Sequence, residues 1–394
     1  MVLNSSQLPI NSWPEPDSEG LAHSARVVER VRTEIEGHGG VLPFERYMAL
    51  VMYEPGLGYY VSGTRQFGRQ GDFVTAPELG SLYGRCVARQ AAQILDQLDG
   101  GSLLEFGAGS GVLAATVLAE LADRDSLPAE YLIMEVSPVL RAQQQQALAG
   151  QIEKNTVKVR WLNSLPDFGF RGVILANEVL DAMPIIRFRV GVEGHMTAGV
   201  VRHNEQLDWV WQRDTAQDGR IDRLVQQYGL VADYTSEVNP RAAAWMQTVG
   251  RLLDAGLILV MDYGYPGAEY YHYERSDGTL MCHYQHRAHM DPFLYPGLQD
   301  LTTHVDFSAV ASAGQAAGLD IAGFTSQEAF LLSTGVLDLV GDASSGSVDP
   351  KLGAELKQLT LASEMGESFK TLAMVKHIGT PLLGFSLRDR RVAL

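Results

Sequence analysis

The sequence predicts an α/β fold, with a Rossmann-like, mostly parallel sheet covered by helices on both faces, an N-terminal helical extension and a small β-rich insertion. Three observations predict it. From Ser102 onward, short apolar runs alternate with alanine- and leucine-rich stretches of helical period, the pattern of crossover units. A glycine-rich turn joins the first of these runs directly to a helix, which is where open α/β sheets receive ligands. The stretch between the fourth and fifth runs is too long for one crossover loop, so an element is inserted there.

In order along the chain, Val27, Val28, Val31 and Ile35 recur at helical spacing over His23 to Glu36, and Gly37, Gly39 and Gly40 end the pattern. A short helix follows Pro43 and runs into a glycine- and tyrosine-rich loop, Met52 to Gly63. A second loop, Gly71 to Gly80, precedes a helix over Leu82 to Leu98. Strands are expected at Ser102 to Phe106, Tyr131 to Glu135, Val157 to Trp161, Val173 to Ala176 and Leu257 to Met261. Ser137 and Pro138 form a helix start, since a serine side chain caps the first amides and proline at the first position has none to lose. Asn239 and Pro240 repeat that signal before Arg241 to Leu253. The alternating segments IIRFRV and LDWVWQ, within Ile185 to Gln212, predict a small antiparallel element with one solvated face. Gly264 to Phe307 is rich in Tyr, His, Pro and Gly and reads as an ordered lid. The chain then returns to a strand at Leu319 to Phe324, a helix near Glu355 to Met365 and a strand at Leu372 to Lys376. The expected domains are 1–98, an N-terminal extension; 99–184, the first half of the core; 185–239, the insertion; and 240–394, the second half with the lid at 264–307.

At 46% hydrophobic and 20% charged, the 394 residues describe a folded chain. The balance of 31 basic against 47 acidic side chains leaves −16, which opposes a phosphate backbone and predicts no nucleic-acid partner. Cys86 and Cys282 are too few for a disulfide framework and lack Cys-x-x-Cys spacing, so a reducing, cytoplasmic setting is expected. The first twenty-five residues hold no Lys or Arg, so no targeting segment is expected either. Apolar runs are about five residues long, against roughly twenty for a membrane helix, and no membrane insertion is predicted. Self-association is left open.

The strongest chemical signal is LLEFGAGSG, Leu103 to Gly111. Glycines let the backbone bend and approach a ligand where a Cβ would collide. The third glycine comes one residue earlier than in a dinucleotide fingerprint. Gly107, Gly109 and Gly111 after Glu105 resemble instead the first motif of S-adenosylmethionine-dependent methyltransferases. That cofactor carries an amino group and a sulfonium cation, and Glu105 at the strand end suits the methionine moiety. Glu135, at the next strand end, suits the ribose hydroxyls. ANEVLDAMP, Ala176 to Pro184, presents Asn177, Glu178 and Asp181 after the fourth strand, where carboxylates can orient a nucleophile and pair with a guanidinium. Asp181 as a simple turn cap before Pro184 is an equally good reading of that residue alone.

Together these stretches resemble the MidA family, the methyltransferases related to the mitochondrial complex I assembly factor. The resemblance is carried by FERYMALVMYEPGLGYY, GDFVTAPELG, LEFGAGSG, MEVSPVLRAQQ, NEVLDAMP, LVMDYG and PGLQDLTTHVDF, and spans nearly the whole chain. It implies a seven-stranded methyltransferase sheet, S-adenosyl-L-methionine as cofactor, and a protein substrate presenting arginine. It also implies cofactor roles for Glu105, Gly107, Gly109, Gly111 and Glu135, with Asp72 and Glu78 lining the same cleft, and an acceptor side of Asn177, Glu178 and Asp181. The run Gly80 to Arg85 departs from the family's Ser-Gln, aromatic, Gly-Glu pattern. A small-molecule acceptor, a cofactor-binding assembly chaperone and an NAD-linked oxidoreductase are the alternatives. Cys282, His283, His286 and His289 do not have the spacing of a zinc site, and His286 and His304 are expected to satisfy loop carbonyls. Trp209 and Trp211 share one strand face, which favours packing over stacked nucleotides.

Overall fold

The computed structural model describes residues 13–62, 75–153, 157–341 and 349–394. The chain forms two units. One comprises 1–73, 181–242 and 265–306, the other 74–180, 243–264 and 307–394. These boundaries differ from those read in the sequence: 74–98 belongs with the sheet-bearing unit, and 265–306 does not.

Among the described residues, the main path of the sheet in this unit takes seven strands, labelled in chain order: β1 Ser102–Phe106, β2 Glu130–Met134, β3 Lys158–Leu162, β4 Phe170–Asn177, β5 Leu253–Tyr265, β6 Asp320–Ser326 and β7 Phe369–Lys376. The path across the sheet is β6-β7-β5-β4-β1-β2-β3. Neighbours from β5 to β3 run parallel, and β7 runs antiparallel between β5 and β6. Central strands buried on both faces read as continuous apolar runs, which is why Val173 to Ala176 and Leu257 to Met261 are fully buried. The helix Leu82–Gln97 turns Tyr83, Cys86, Val87, Gln90 and Ile94 inward at helical spacing. The helix expected near Glu355 lies at Pro350–Thr360 instead, because Asp349 caps it and Pro350 opens it.

Register decides what stands at the C-terminal edge of the sheet. Phe106 pairs with Met134 on one side and with Ala176 on the other, and Asn177 pairs with Met261. The next residue on each of the three strands, with the β5 partner of Asn177, therefore forms a row: Glu135, Gly107, Asn177 and Met261. β1 and β4 are the innermost pair of this row.

The other unit carries the helices Ser18–Gly37 and Phe44–Tyr53 and an antiparallel sheet in the order Leu42–Pro43, Met196–His203, Ile186–Arg189, Thr235–Val238, with Gln206–Arg213 beside Met196–His203. It realises the antiparallel insertion read from IIRFRV and LDWVWQ. Trp209 packs on Phe44 and Phe293, with ring centroids 4.6 and 5.1 Å away, so it is core material. A three-stranded sheet of Met281–Tyr284, Arg287–His289 and Asp300–Thr302 completes the unit. No helix among the described residues is long and apolar enough to cross a membrane.

Candidate active site at the strand ends

After β1 the backbone enters the left-handed region three times, with φ of 61° at Gly107, 53° at Gly109 and 87° at Gly111. Side chains other than glycine resist that region. At Gly111, the N-cap of the helix Val112–Asp123, a Cβ would also stand 2.9 Å from the Gln144 Cα. The turn thus presents bare backbone, and the helix Pro138–Ala147 closes on it from behind.

Glu105 is 2% exposed and accepts a bond of 2.8 Å from the Tyr131 hydroxyl. Burial pushes its carboxyl up to about 7, against the lowering effect of that bond, and the nearby Glu135 charge adds to the rise. Glu135 is also raised by burial, opposed by its bonds. Its Oε1 accepts from the Ser137 amide at 2.8 Å and its Oε2 from Gln144 Nε2 at 3.0 Å. The same Gln144 nitrogen donates to the Gly109 carbonyl at 2.9 Å, and Gln144 Oε1 accepts from the Trp161 indole at 2.9 Å. One buried amide therefore ties the glycine turn to the acid at the end of β2. On the other side of the turn, Ser110 donates its hydroxyl to Glu78, which the short helix Ala76–Leu79 presents. Asp72 lies outside the described residues.

At the end of β4, Asn177 accepts from the Tyr83 hydroxyl and donates from Nδ2 to Glu178 Oε1 at 3.2 Å. Glu178 itself has φ of 52°, and its amide donates to the Met261 carbonyl at 2.9 Å. The fully buried Asp262 accepts from the Leu180 and Tyr263 amides at 3.1 and 2.9 Å, which holds the turn shut. Asp181 belongs to the other unit. There it is 5% exposed and its carbonyl accepts from the Thr303 amide at 3.0 Å; nearby Tyr60 donates to Asp300 at 3.1 Å, its hydroxyl pushed well above the ordinary pKa by burial first, with the Asp300 and, to a lesser degree, Asp181 charges adding to the rise. Asn177 and Glu178 are thus brought together within one unit, and Asp181 sits among a different set of partners.

Sequence reading missed Tyr131, Gln144, Trp161, Tyr83, Ser110 and Asp262. Two of them carried a signal: Gln144 and Tyr83 occupy the buried faces of their helices, where a polar group needs a partner. The departure at Gly80 to Arg85 has a packing origin. The Glu355 carboxylate lies where a Gly80 Cβ would go and accepts from the Leu82 amide at 2.6 Å, while Arg85 pairs with the buried Glu120 at 2.7 Å. Of the histidines, His286 is exposed, and His304 stacks on Tyr265 with centroids 5.1 Å apart.

A seven-strand path in this order, with a glycine turn and acids along its carboxyl edge, defines a methyltransferase-type α/β domain. The family profile described as S-adenosyl-L-methionine-dependent methyltransferase matches residues 86–325, and the chain belongs to that family. It is a SAM-dependent methyltransferase. A crystal structure from Burkholderia thailandensis bound to S-adenosyl-homocysteine is 40% identical, covers 97% of this chain and 100% of that one, and superposes with a TM-score of 0.92. The mitochondrial protein arginine methyltransferase NDUFAF7 homolog of Drosophila melanogaster is 28% identical over 96% of this chain and 92% of its own length. The mouse mitochondrial protein arginine methyltransferase NDUFAF7 is 26% identical over 86% and 82%. These relatives correct the cytoplasmic expectation, because they are mitochondrial proteins. Few cysteines and an acidic balance report redox setting and solubility, not an address.

Proposed function

We propose that this enzyme transfers a methyl group to a guanidinium nitrogen of arginine in a protein substrate. The observation that carries the reading is the row at the sheet's edge, where a bare glycine turn and two buried acids stand beside Asn177 and Glu178. S-adenosyl-L-methionine, when bound, supplies an electrophilic methyl group. The residues fit it: Gly107, Gly109 and Gly111 leave room for close approach, Glu105 suits the amino group and Glu135 the ribose hydroxyls, with Glu78 completing the cleft through Ser110. Asp72 keeps the cofactor role the family resemblance gives it.

On the acceptor side, Glu178 binds guanidinium N–H groups by charge-assisted hydrogen bonds and orients the attacking nitrogen. Asn177 is the other polar group of that side, and Asp181 keeps the acceptor role the family resemblance gives it. In the transfer, the nitrogen lone pair forms the new N–C bond, the C–S bond breaks with its electron pair going to sulfur, and the guanidinium sheds one proton. The names of the Drosophila and mouse relatives support arginine as acceptor. The test is incubation of the purified enzyme with methyl-labelled S-adenosylmethionine and a lysate from a strain lacking it, followed by mass spectrometry. Methylarginine in a protein is expected; label confined to small metabolites overturns the protein substrate.

A further inference from the structure

Glu178 lies in a backbone region that resists its side chain, so its usefulness depends on what fixes its carboxylate. One ordering element comes from far away in the sequence. Tyr83 stands on the buried face of the helix Leu82–Gln97 and is 1% exposed. Its single hydroxyl proton goes to Asn177 Oδ1, with the weaker acceptor Met261 Sδ 3.2 Å from the same oxygen. An amide has two unlike ends. With Oδ1 committed to Tyr83, the NH2 end of Asn177 faces Glu178 and donates to Oε1 at 3.2 Å.

Burial holds the Tyr83 hydroxyl well above its ordinary pKa, and the Glu178 and Asp262 charges raise it further. Across the working pH range it is therefore a donor, and a phenolate never turns the amide round. Asn177 in turn sits next to Gly107 across the β1–β4 register.

We propose that Tyr83 is a positioning residue for methyl transfer: its hydroxyl fixes the Asn177 amide, and Asn177 then aims the Glu178 carboxylate at the acceptor. The proposal rests on the reading of Asn177 and Glu178 as acceptor-side groups. Tyr83→Phe keeps the ring and removes only the hydroxyl that sets the relay.

The test is a double-variant cycle on the full chain with Tyr83→Phe, Asn177→Ala and both together. Transfer from methyl-labelled S-adenosylmethionine to proteins of a deletion-strain lysate is read at saturating cofactor, beside calorimetric binding of S-adenosyl-homocysteine. Tyr83→Phe is expected to slow transfer about tenfold and leave S-adenosyl-homocysteine affinity within about twofold, with the double variant no slower than Asn177→Ala alone. Undiminished transfer in Tyr83→Phe, or losses that multiply in the double variant, overturns the relay. A second readout needs no acceptor: the Asn177 side-chain amide protons, assigned by their loss in Asn177→Ala, should be protected from exchange in the wild type and lose protection in Tyr83→Phe. Unchanged protection refutes the proposal, whereas absence of any protein label with protection lost in Tyr83→Phe refutes the substrate reading and leaves the relay standing.

Discussion

Glu105→Gln is a nearly isosteric change that keeps an acceptor for the Tyr131 hydroxyl and removes a buried charge. The carboxyl moves from 4.5 in the unfolded chain to about 7 in the fold, so the folded state binds the proton more tightly. Between those two values stability falls as pH rises, because the unfolded chain ionises first. The penalty is absent well below pH 4.5 and complete above pH 7. At about 1.4 kcal/mol per pKa unit, it amounts to roughly 3 kcal/mol at pH 8 and under about 1 kcal/mol at pH 5. Equilibrium urea unfolding of both proteins at these two pH values should therefore favour the glutamine variant by about 2 kcal/mol more at pH 8 than at pH 5. Binding has the opposite sign. A ligand amino group favours the ionised acid, so S-adenosyl-homocysteine should bind the wild type more tightly as pH rises through 7, and the variant weakly with no such rise. A stability difference that ignores pH, or an equal ligand affinity in both proteins, refutes the assignment of Glu105.

Four further variants test the proposed roles. Gly109→Val should abolish S-adenosyl-homocysteine binding, since a β-branched residue resists φ of 53°, whereas Asp181→Ala should end turnover and leave that binding intact, both read by calorimetry and label transfer. Gln144→Met should weaken S-adenosyl-homocysteine roughly tenfold and erase its preference over the 2′-deoxyadenosyl analogue, because the Gly109 and Glu135 bonds are lost together. Glu178→Gly should raise stability by about 1 kcal/mol through relief of its backbone, read as a higher urea midpoint, while transfer falls to background.

The fold was legible where one physical cause dominates. Strands buried on both faces announce themselves as apolar runs, and the turn after β1 needs glycines whatever surrounds it. Boundaries were less legible: β5 runs over Leu253–Tyr265, well past the apolar segment, because pairing with β4 reaches back to Leu253 across an irregularity at Asp254 and pairing with β7 continues through Asp262 to Tyr263. The placement of Glu105, Glu135, Asn177 and Glu178 at the strand ends was legible. It was not legible for partners delivered by other elements. Tyr83 reaches Asn177 across 94 positions and Tyr131 reaches Glu105 across 26, and no local pattern encodes such pairs. Asp181, three residues beyond Glu178, falls on the far side of a unit boundary that sequence spacing does not reveal.

The left-handed turn at Glu178 also bears on how the site persists. A single base change converts a glutamate codon into a glycine codon, and the product would fold more readily. Drift governed by foldedness alone runs downhill, away from the acid. Under the proposed role for Glu178 the acid costs stability where it stands, and a screen for thermostable variants would be expected to recover the glycine form.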